Sequence, residues 1–545
     1  MKLEVYKILS INFSKNRTHG GSVLDNKNEV IENQNVDKDQ ISEKKSNNCF
    51  FVGEERWIEN EKIDKDKKSK IKLFFKKYLL LDNVNFLFGT GSSIHLGAES
   101  IQEIPKQISE KIEKNDDVNN LFKKLKEKYE DKKLLDVKEE IEKGNDCLIW
   151  ENKINDLEEG LKSKLKELKI QKEKVNLKEI IEKNELDDIE KEEIYKLGVE
   201  VKLEDFLNYL YALKYLMKQS EGLISKNELE IDIEKLGKLI EAIKKAIFEM
   251  CDIDNISFVK NWFLNKKGNK EIKEKMEKEG KYAYHKSFLT SLLQRPLNLR
   301  RANIFTLNYD LAFEYAYDEL GIEYINGFVG FNERNFRPEV YNYDFFFPGD
   351  TTEGKVRRIE RVIKYYKLHG SLNWVYKNQN KNNPYGLYEI PIELVRMKLE
   401  NKMDNLGEIM IYPTSSKKEY TLNFPYSELF RKFADRLQQP EAVLFVVGYS
   451  FYDEHINDII YQALANPSFT LIIVDFNGTK NDGEIKRLND LKDPRIIICQ
   501  GEELGDFKYF SKELLPTIDQ EDTRAKVMNS LDKLYQTEND KKQEV

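Results

Sequence analysis

Four short polar segments carry the residue types that could do chemistry. In Gly89-Thr90-Gly91-Ser92-Ser93, two glycines let a backbone come close to a ligand, and Ser92 or Ser93 can cap a following helix. Unpaired amides and the positive end of a helix dipole at such a turn favour a phosphate. Thr306-Leu307-Asn308-Tyr309-Asp310 offers an amide and a carboxylate. Lys367-Leu368-His369-Gly370-Ser371 offers an imidazole, whose ordinary pKa of ~6.5 suits proton transfer near neutrality. Gly448-Tyr449-Ser450-Phe451-Tyr452-Asp453 is the fourth.

Each segment also has a plainer explanation. The third glycine of a dinucleotide fingerprint is absent, with Ile94 in its place, so a tight structural turn accounts for the glycines as well as a nucleotide does. Asn308 suits a turn, His369 a satisfied buried histidine, and Ser450 a helix cap.

The elements that must position these residues tie them together. Strand-like apolar runs occur at Asn85–Phe88, Asn303–Leu307, Ile363–Leu368, Val443–Val447, Leu471–Val474 and Arg495–Cys499. Near-continuous runs of this kind, bounded by Gly, Pro or Asn, are expected in parallel strands covered on both faces. Helices are predicted at Ser92–Glu113, Leu311–Leu320, Tyr426–Leu437 and Asp453–Leu464. The fold class is therefore α/β, a doubly wound, mainly parallel Rossmann-like sheet. In open α/β sheets ligands bind outside the carboxyl ends of the strands, so the four polar turns converge on one crevice.

Proline placement gives the domain organisation. Of 12 prolines only Pro105 precedes Pro296, and a proline inside a helix costs ~3 kcal/mol or more. The proline-free, Lys/Glu-rich stretch 106–295 is thus read as a large inserted helical domain. Val118, Phe122, Leu125 and Tyr129, then Leu203, Phe206, Leu210, Leu213 and Met217, step at helical spacing. Its charge runs alternate in sign, which suits solvated helix faces and no chemistry of their own. The insertion separates residues 83–105, the first strand, turn and helix, from 296–518, the remainder of the sheet domain. Residues 1–82 form an N-terminal extension holding a polar, mobile loop at 14–48, with short strands possible at Leu3–Phe13 and Cys49–Val52. A charged tail at 519–545, with a helix near Arg524–Tyr535, completes the chain.

Composition limits the function classes. With 545 residues the chain spans three or four folding units at ~150 residues each. Its 40% hydrophobic content excludes wholesale disorder. The 89 basic and 97 acidic side chains leave −8, which disfavours direct nucleic-acid contact as the whole-chain role. Cys49, Cys147, Cys251 and Cys499 form no CxxC pair, and with five histidines they give no metal-ligand spacing, so no metal is expected. The N-terminus lacks the apolar core of a signal peptide, and the longest apolar run, Ala442 to Val447, is too short for a bilayer. A cytoplasmic protein without membrane contact is expected.

Taken in order, Gly-Thr-Gly-Ser at 89–92, Thr-Leu-Asn-Tyr-Asp at 306–310, Lys-Leu-His-Gly-Ser at 367–371 with Trp374, and Gly-Tyr-Ser-Phe-Tyr-Asp at 448–453 resemble the sirtuin-like branch of bacterial anti-phage defence. Ile411-Tyr412-Pro413-Thr414 and Tyr426-Ser427-Glu428-Leu429-Phe430 resemble it too, and the resemblance covers roughly 83–105 and 300–500. It implies an NAD+ hydrolase that yields nicotinamide and ADP-ribose and depletes the infected cell of NAD+. In that reading NAD+ is the substrate and no further cofactor is required. Asn308 positions the water and the ribose hydroxyls, and His369 is the base. Gly89, Thr90, Gly91, Ser92 and Ser93 hold the pyrophosphate, while Gly448 and Ser450 line the adenosine side. Asp475, with Asn477 as competitor, contacts the adenosine ribose. Asp310 is either a second ribose contact or a turn-stabilising carboxylate. The resemblance further implies a homo-oligomer and a partner ATPase of the hexameric, DNA-translocating HerA type.

Sirtuin deacetylases hold a structural zinc with two Cys pairs, which this chain lacks; that weakens a deacetylase reading. A non-catalytic scaffold that binds NAD+ or ADP-ribose within a defence complex is the alternative. It has no need of both a base and a water-orienting amide.

Overall fold

Strict alternation of buried side chains builds the main sheet. Phe86 and Phe88 pack into one apolar cluster while Leu87 packs into the other, and Phe445 and Val447 alternate with Leu444 and Val446 in the same way. A strand sends successive side chains to opposite faces, so strands buried on both sides need apolar residues at every position. A computed structural model describes residues 47–98, 116–143, 148–150, 174–183, 186–199, 203–219, 232–254, 280–348, 356–400, 408–409, 425–480 and 483–516.

The main sheet comprises β1 (Cys49–Val52), β2 (Glu55–Glu59), β3 (Val84–Phe88), β4 (Asn303–Thr306), β5 (Glu323–Ile325), β6 (Val362–Lys367), β7 (Val443–Val447), β8 (Thr470–Asp475) and β9 (Ile496–Gln500). Its order is β2-β1-β9-β8-β7-β3-β4-β6-β5, parallel from β9 to β5, with β1 antiparallel to β9. From β3 the chain places β4, β5 and β6 on one side, β6 entering between β4 and the edge strand β5, then crosses to β7, β8 and β9 on the other. The switch point therefore lies at the carboxyl ends of β3 and β7, where open α/β sheets bind ligands.

Helices cover both faces. On one lie α1 (Lys65–Leu79), α2 (Ala283–Leu292) and α3 (Ala312–Leu320), which supply Phe75, Phe288 and Phe313. On the other lie α4 (Tyr426–Leu437) and α5 (Glu454–Leu464), which supply Phe433 and Ile460. Burying one such side chain stabilises the fold by about 1.5–3 kcal/mol.

The N-terminal extension does more than precede the sheet. Its residues from Cys49 onwards add two strands to one edge, and Phe75 packs edge-on against Phe445 and Phe510. The polar loop up to residue 46, the Leu3–Phe13 strand and the C-terminal tail lie outside the described residues.

The insertion is helical over Asp116–Glu142, Leu177–Lys183, Asp188–Gly198, Leu203–Gln219 and Ile233–Cys251, with a short antiparallel pair, Leu148–Trp150 against Lys174–Asn176. Val118, Phe122, Leu125 and Tyr129 are buried, as their spacing predicts. Their cluster extends to Tyr309, Leu311 and Leu372, next to the candidate residues Asn308 and Asp310. Arg396 also grips Asp252 through two hydrogen bonds of 2.8 and 2.7 Å. Beyond the main sheet, Glu408–Ile409, Trp374–Tyr376, Leu387–Glu389, Arg334–Phe336 and Phe328–Val329 form a small antiparallel sheet around buried Trp374.

One expectation is corrected. The residues after β3 do not enter an α-helix at Ser92: Thr90–Ser92 and Ile94–Leu96 are 3-10 turns, and Gly97 closes the second at a φ of 93°. Residues 99–113 of the expected helix lie outside the described residues. The positive helix dipole invoked for a phosphate is therefore not supplied by residues 90–96.

Candidate active site

One level row of residues crosses six strands. Cys499 pairs with Val474, Val474 with Val447, Val447 with Phe88, Phe88 with Thr306 and Thr306 with Lys367. The ladder continues one residue further, with Gly448 N donating to Val474 O, Gly89 N to Val447 O, Leu307 N to Phe88 O and Leu368 N to Thr306 O, all at 2.9–3.0 Å. Asp475, Gly448 and Gly89 thus stand one position beyond the row, and Thr90, Asn308 and His369 two. Every one of them leaves the sheet at the same end.

At the switch point three glycines meet back to back. A Cβ on Gly89 would sit 2.5 Å from Gly448 O, one on Gly91 2.6 Å from Gly448 Cα, and one on Gly448 2.7 Å from Gly91 Cα. Gly448 also needs a φ of +64°, which glycine adopts freely. The tight turn foreseen as the plainer explanation is real: these glycines let two loops touch. The same contact brings the 89–93 loop to the centre of the crevice.

Asn308 ties that loop to β4. Its Nδ2 donates to Gly89 O, Ser92 Oγ and Ser93 Oγ, each at 3.1 Å, and Ser92 Oγ donates in turn to Gly89 O at 2.8 Å. Those acceptors fix which way the amide faces. Asn308 N donates to Thr306 Oγ1 at 3.1 Å, whereas its half-buried amide oxygen accepts no hydrogen bond among the described residues. An acceptor is what the crevice retains from this side chain. Thr90 and Gly91 are half-buried beside it. Asp310 is buried and its Oδ1 accepts from Ala312 N at 3.0 Å, so the carboxylate helps start α3. That observation supports the turn-stabilising role.

A buried ion pair holds this segment from below. Lys367 Nζ donates to Tyr309 O at 3.3 Å, to Asp310 O, and to Glu314 Oε1 at 3.0 Å, while Tyr365 OH donates to Glu314 Oε2 at 3.1 Å. Burial raises the Glu314 carboxyl above its ordinary range, and Lys367 opposes that shift. Neither residue was predicted from sequence to serve the site, since a lysine and a glutamate read as surface residues until their burial is seen.

His369 lies beyond β6, with side-chain exposure of 13%, and its Nε2 is 3.1 Å from Asp453 Oδ2, at ion-pair distance but without the alignment of a directed hydrogen bond. Asp453 Oδ1 accepts from His455 N at 3.1 Å and so caps α5. The cap is Asp453, not Ser450. Tyr449 fixes this carboxylate's backbone: Asp453 N donates to Tyr449 Oη at 2.9 Å, and the hydroxyl lies 3.1 Å from Asp453 O and 3.0 Å from Asn457 Oδ1. Burial pushes the Tyr449 hydroxyl well above its ordinary pKa, so it stays neutral. Asp453 is the functional candidate that sequence reasoning passed over; the quoted motif ended on it, but only the fold reveals its contact with His369. A carboxylate at that position can orient an imidazole and stabilise its protonated form.

On the far side of the switch point, Ser450 is half-buried, with no hydrogen bond among the described residues. Asp475 Oδ1 accepts from Asn477 N at 3.0 Å and Gly478 N at 2.7 Å, building the turn after β8, and Asn477 is half-buried beside it. His95 packs inward against His285 with ring centroids 5.5 Å apart. Burial lowers His285 to about 3 and holds His95 well below the ordinary imidazole range. Both are neutral framework.

The segment Ile411–Thr414 lies outside the described residues. Among the described residues no group of three or more His, Cys, Asp or Glu side chains could hold a metal ion, and no helix is long and apolar enough to cross a membrane. No curated protein matches the chain. Residues 302–490 match the family model described as the SIR2-like domain, which supports Sir2-family membership for the segment that carries Asn308, His369 and Asp453.

Proposed function

We propose that the chain hydrolyses NAD+ to nicotinamide and ADP-ribose. The observation that supports this most directly is that an amide and an imidazole each stand two residues beyond a paired position, at the carboxyl ends of the adjacent strands β4 and β6, in a segment matching a SIR2-like domain. The bond from the ribose C1′ to the pyridinium nitrogen breaks, and its electron pair neutralises that nitrogen. The leaving group therefore needs no general acid. The barrier lies in the oxocarbenium-like ribose. Asn308 Oδ1 accepts a hydrogen bond from the water or a ribose hydroxyl and orients it. Water oxygen bonds to C1′, and its proton passes to His369, where Asp453 opposes the positive charge that forms. The 89–93 loop takes the pyrophosphate, Gly448 and Ser450 the adenosine side, and Asn477 or Asp475 its ribose.

In this reading the chain is an anti-phage effector that acts by NAD+ depletion in the cytoplasm, as a homo-oligomer with a HerA-type ATPase. Purified protein mixed with NAD+, with and without that ATPase, should release equal amounts of nicotinamide and ADP-ribose. One observation favours the scaffold alternative: Asn308 Nδ2 is already committed to the 89–93 loop, as a purely structural amide would be. Tight ADP-ribose binding with no nicotinamide release under either condition would select the scaffold.

A further inference from the structure

At the opposite, amino end of the sheet, a small, partly open cavity of about 40 Å³ lies between Ala302, before β4, and Val362, which begins β6. Five arginines line it: Arg295, Arg300, Arg301, Arg358 and Arg361. We propose that it binds the phosphate of a phosphorylated small molecule, at a site separate from the candidate active site.

The arginines fall into two groups. Arg301 and Arg358 share the single carboxylate of Asp344, with Nη–O distances of 2.8 and 2.6 Å, and form a fixed, partly neutralised wall. The other three have no carboxylate in ion-pair contact among the described residues. Arg295 donates to backbone oxygens of Leu79, Leu81, Asp82 and Arg300 and to no carboxylate. Burial lowers this guanidinium to about 10, Asp82 partly offsetting the shift and Arg358 adding to it, so it remains a buried positive charge at neutral pH. Arg300 uses Nη1 for Asn83 Oδ1 and Gln439 Oε1, which leaves its Nε and Nη2 donors available. Arg361 is exposed, makes no side-chain hydrogen bond among the described residues, and sits at a φ of +56°, a conformation that non-glycine residues seldom adopt. Asp82 and Glu360 offset only part of the local charge.

A guanidinium carries five N–H donors in a planar fork that matches phosphate oxygens. Arg300 and Arg361 together supply unused forks, and Arg295 supplies charge behind them. The rest of the lining is apolar, and Leu297 within it is 41% exposed. A ligand with an apolar body beside its phosphate would cover that leucine, whereas a bare phosphate would not. Val362 and Lys367 bound the same strand, so the cavity lies roughly 15–20 Å from the level row at about 3.3 Å per residue.

Phenyl phosphate and inorganic phosphate are suitable probes, titrated calorimetrically into the full chain. Saturable binding is expected, tighter for phenyl phosphate. The double variant Arg300→Gln/Arg361→Gln should weaken it at least about tenfold, the loss of one or two charge-assisted hydrogen bonds. Both side chains are peripheral to the core, and an unchanged melting temperature would show that the variant folds. Nicotinamide release without added phosphate should be the same in variant and wild type, so this site and the NAD+ reading fail separately. The proposal is overturned by absence of saturable binding at millimolar probe, by binding that the double variant leaves intact, or by affinity only for DNA fragments with a steep salt dependence.

Discussion

Asn308 and His369 each stand two residues beyond a paired position, Thr306 opposite Lys367 on neighbouring parallel strands. The ladder runs past that pair, with Leu368 N donating to Thr306 O at 2.9 Å, so both residues leave the sheet at one level. Neighbouring strands lie about 4.8 Å apart. Two residues far apart in sequence are thus brought to adjacent strand ends by register.

Asn308→Ala and His369→Ala are each expected to lower nicotinamide release at least about a hundredfold, the usual contribution of an orienting hydrogen-bonding group and of a positioned base respectively. Asn308→Ala should also lower stability by about 0.5–1.5 kcal/mol, because it frees the 89–93 loop. Circular dichroism would verify folding. Wild-type release from both variants would discard the assignment.

Asp453 divides its two oxygens between the cap of α5 and His369, and Asp453→Asn separates those duties. Asparagine still caps a helix well, so the melting temperature should change little. Without the carboxylate, protonated His369 loses its stabilising charge. The maximal rate should fall by about tenfold or more, and the acid limb of the pH–rate profile should move to lower pH. An unchanged profile would reduce Asp453 to a cap.

The strands that frame the crevice were legible because burial on both faces writes them as unbroken apolar runs: Val443–Val447 matches its prediction residue for residue, and the others differ by one residue at either end. β2, with one buried residue in five, and the two- and three-residue strands around Trp374 carry too little pattern to read. Registers were illegible because they depend on partners remote in the chain. The four turns and their shared end of the sheet were readable from composition and order. The contacts of Asp453 with His369 and of Lys367 with Glu314 were not, since nothing local distinguishes a buried charged side chain from a solvated one.

Lys367→Met should test how much the buried pair contributes. Removing the ammonium leaves Glu314 buried and unpaired, a loss of about 3–5 kcal/mol in comparable sites. Adding Glu314→Gln should recover part of that loss, because the carboxylate no longer needs a counter-charge. Urea unfolding of the single and double variants measures both. If the two substitutions were simply additive, Lys367 and Glu314 would not act as a pair.

Acid should unfold the protein partly through His285. In the unfolded chain an imidazole takes up a proton below about pH 6.5, whereas burial delays protonation of folded His285 to about 3. The unfolded state then binds more protons across that window, so the stability present above pH 6.5 is lost as pH falls, by at most about 1.4 kcal/mol per pH unit. His95, held low by burial and by His285, adds in the same direction. His285→Phe keeps a ring among Phe313, Phe507 and His95 and removes one titrating site. The drop in melting temperature between about pH 7.5 and about pH 5.5 should therefore be smaller in the variant than in wild type. Equal drops would mean that His285 is protonated in the folded state or reached by water, and that acid sensitivity arises elsewhere.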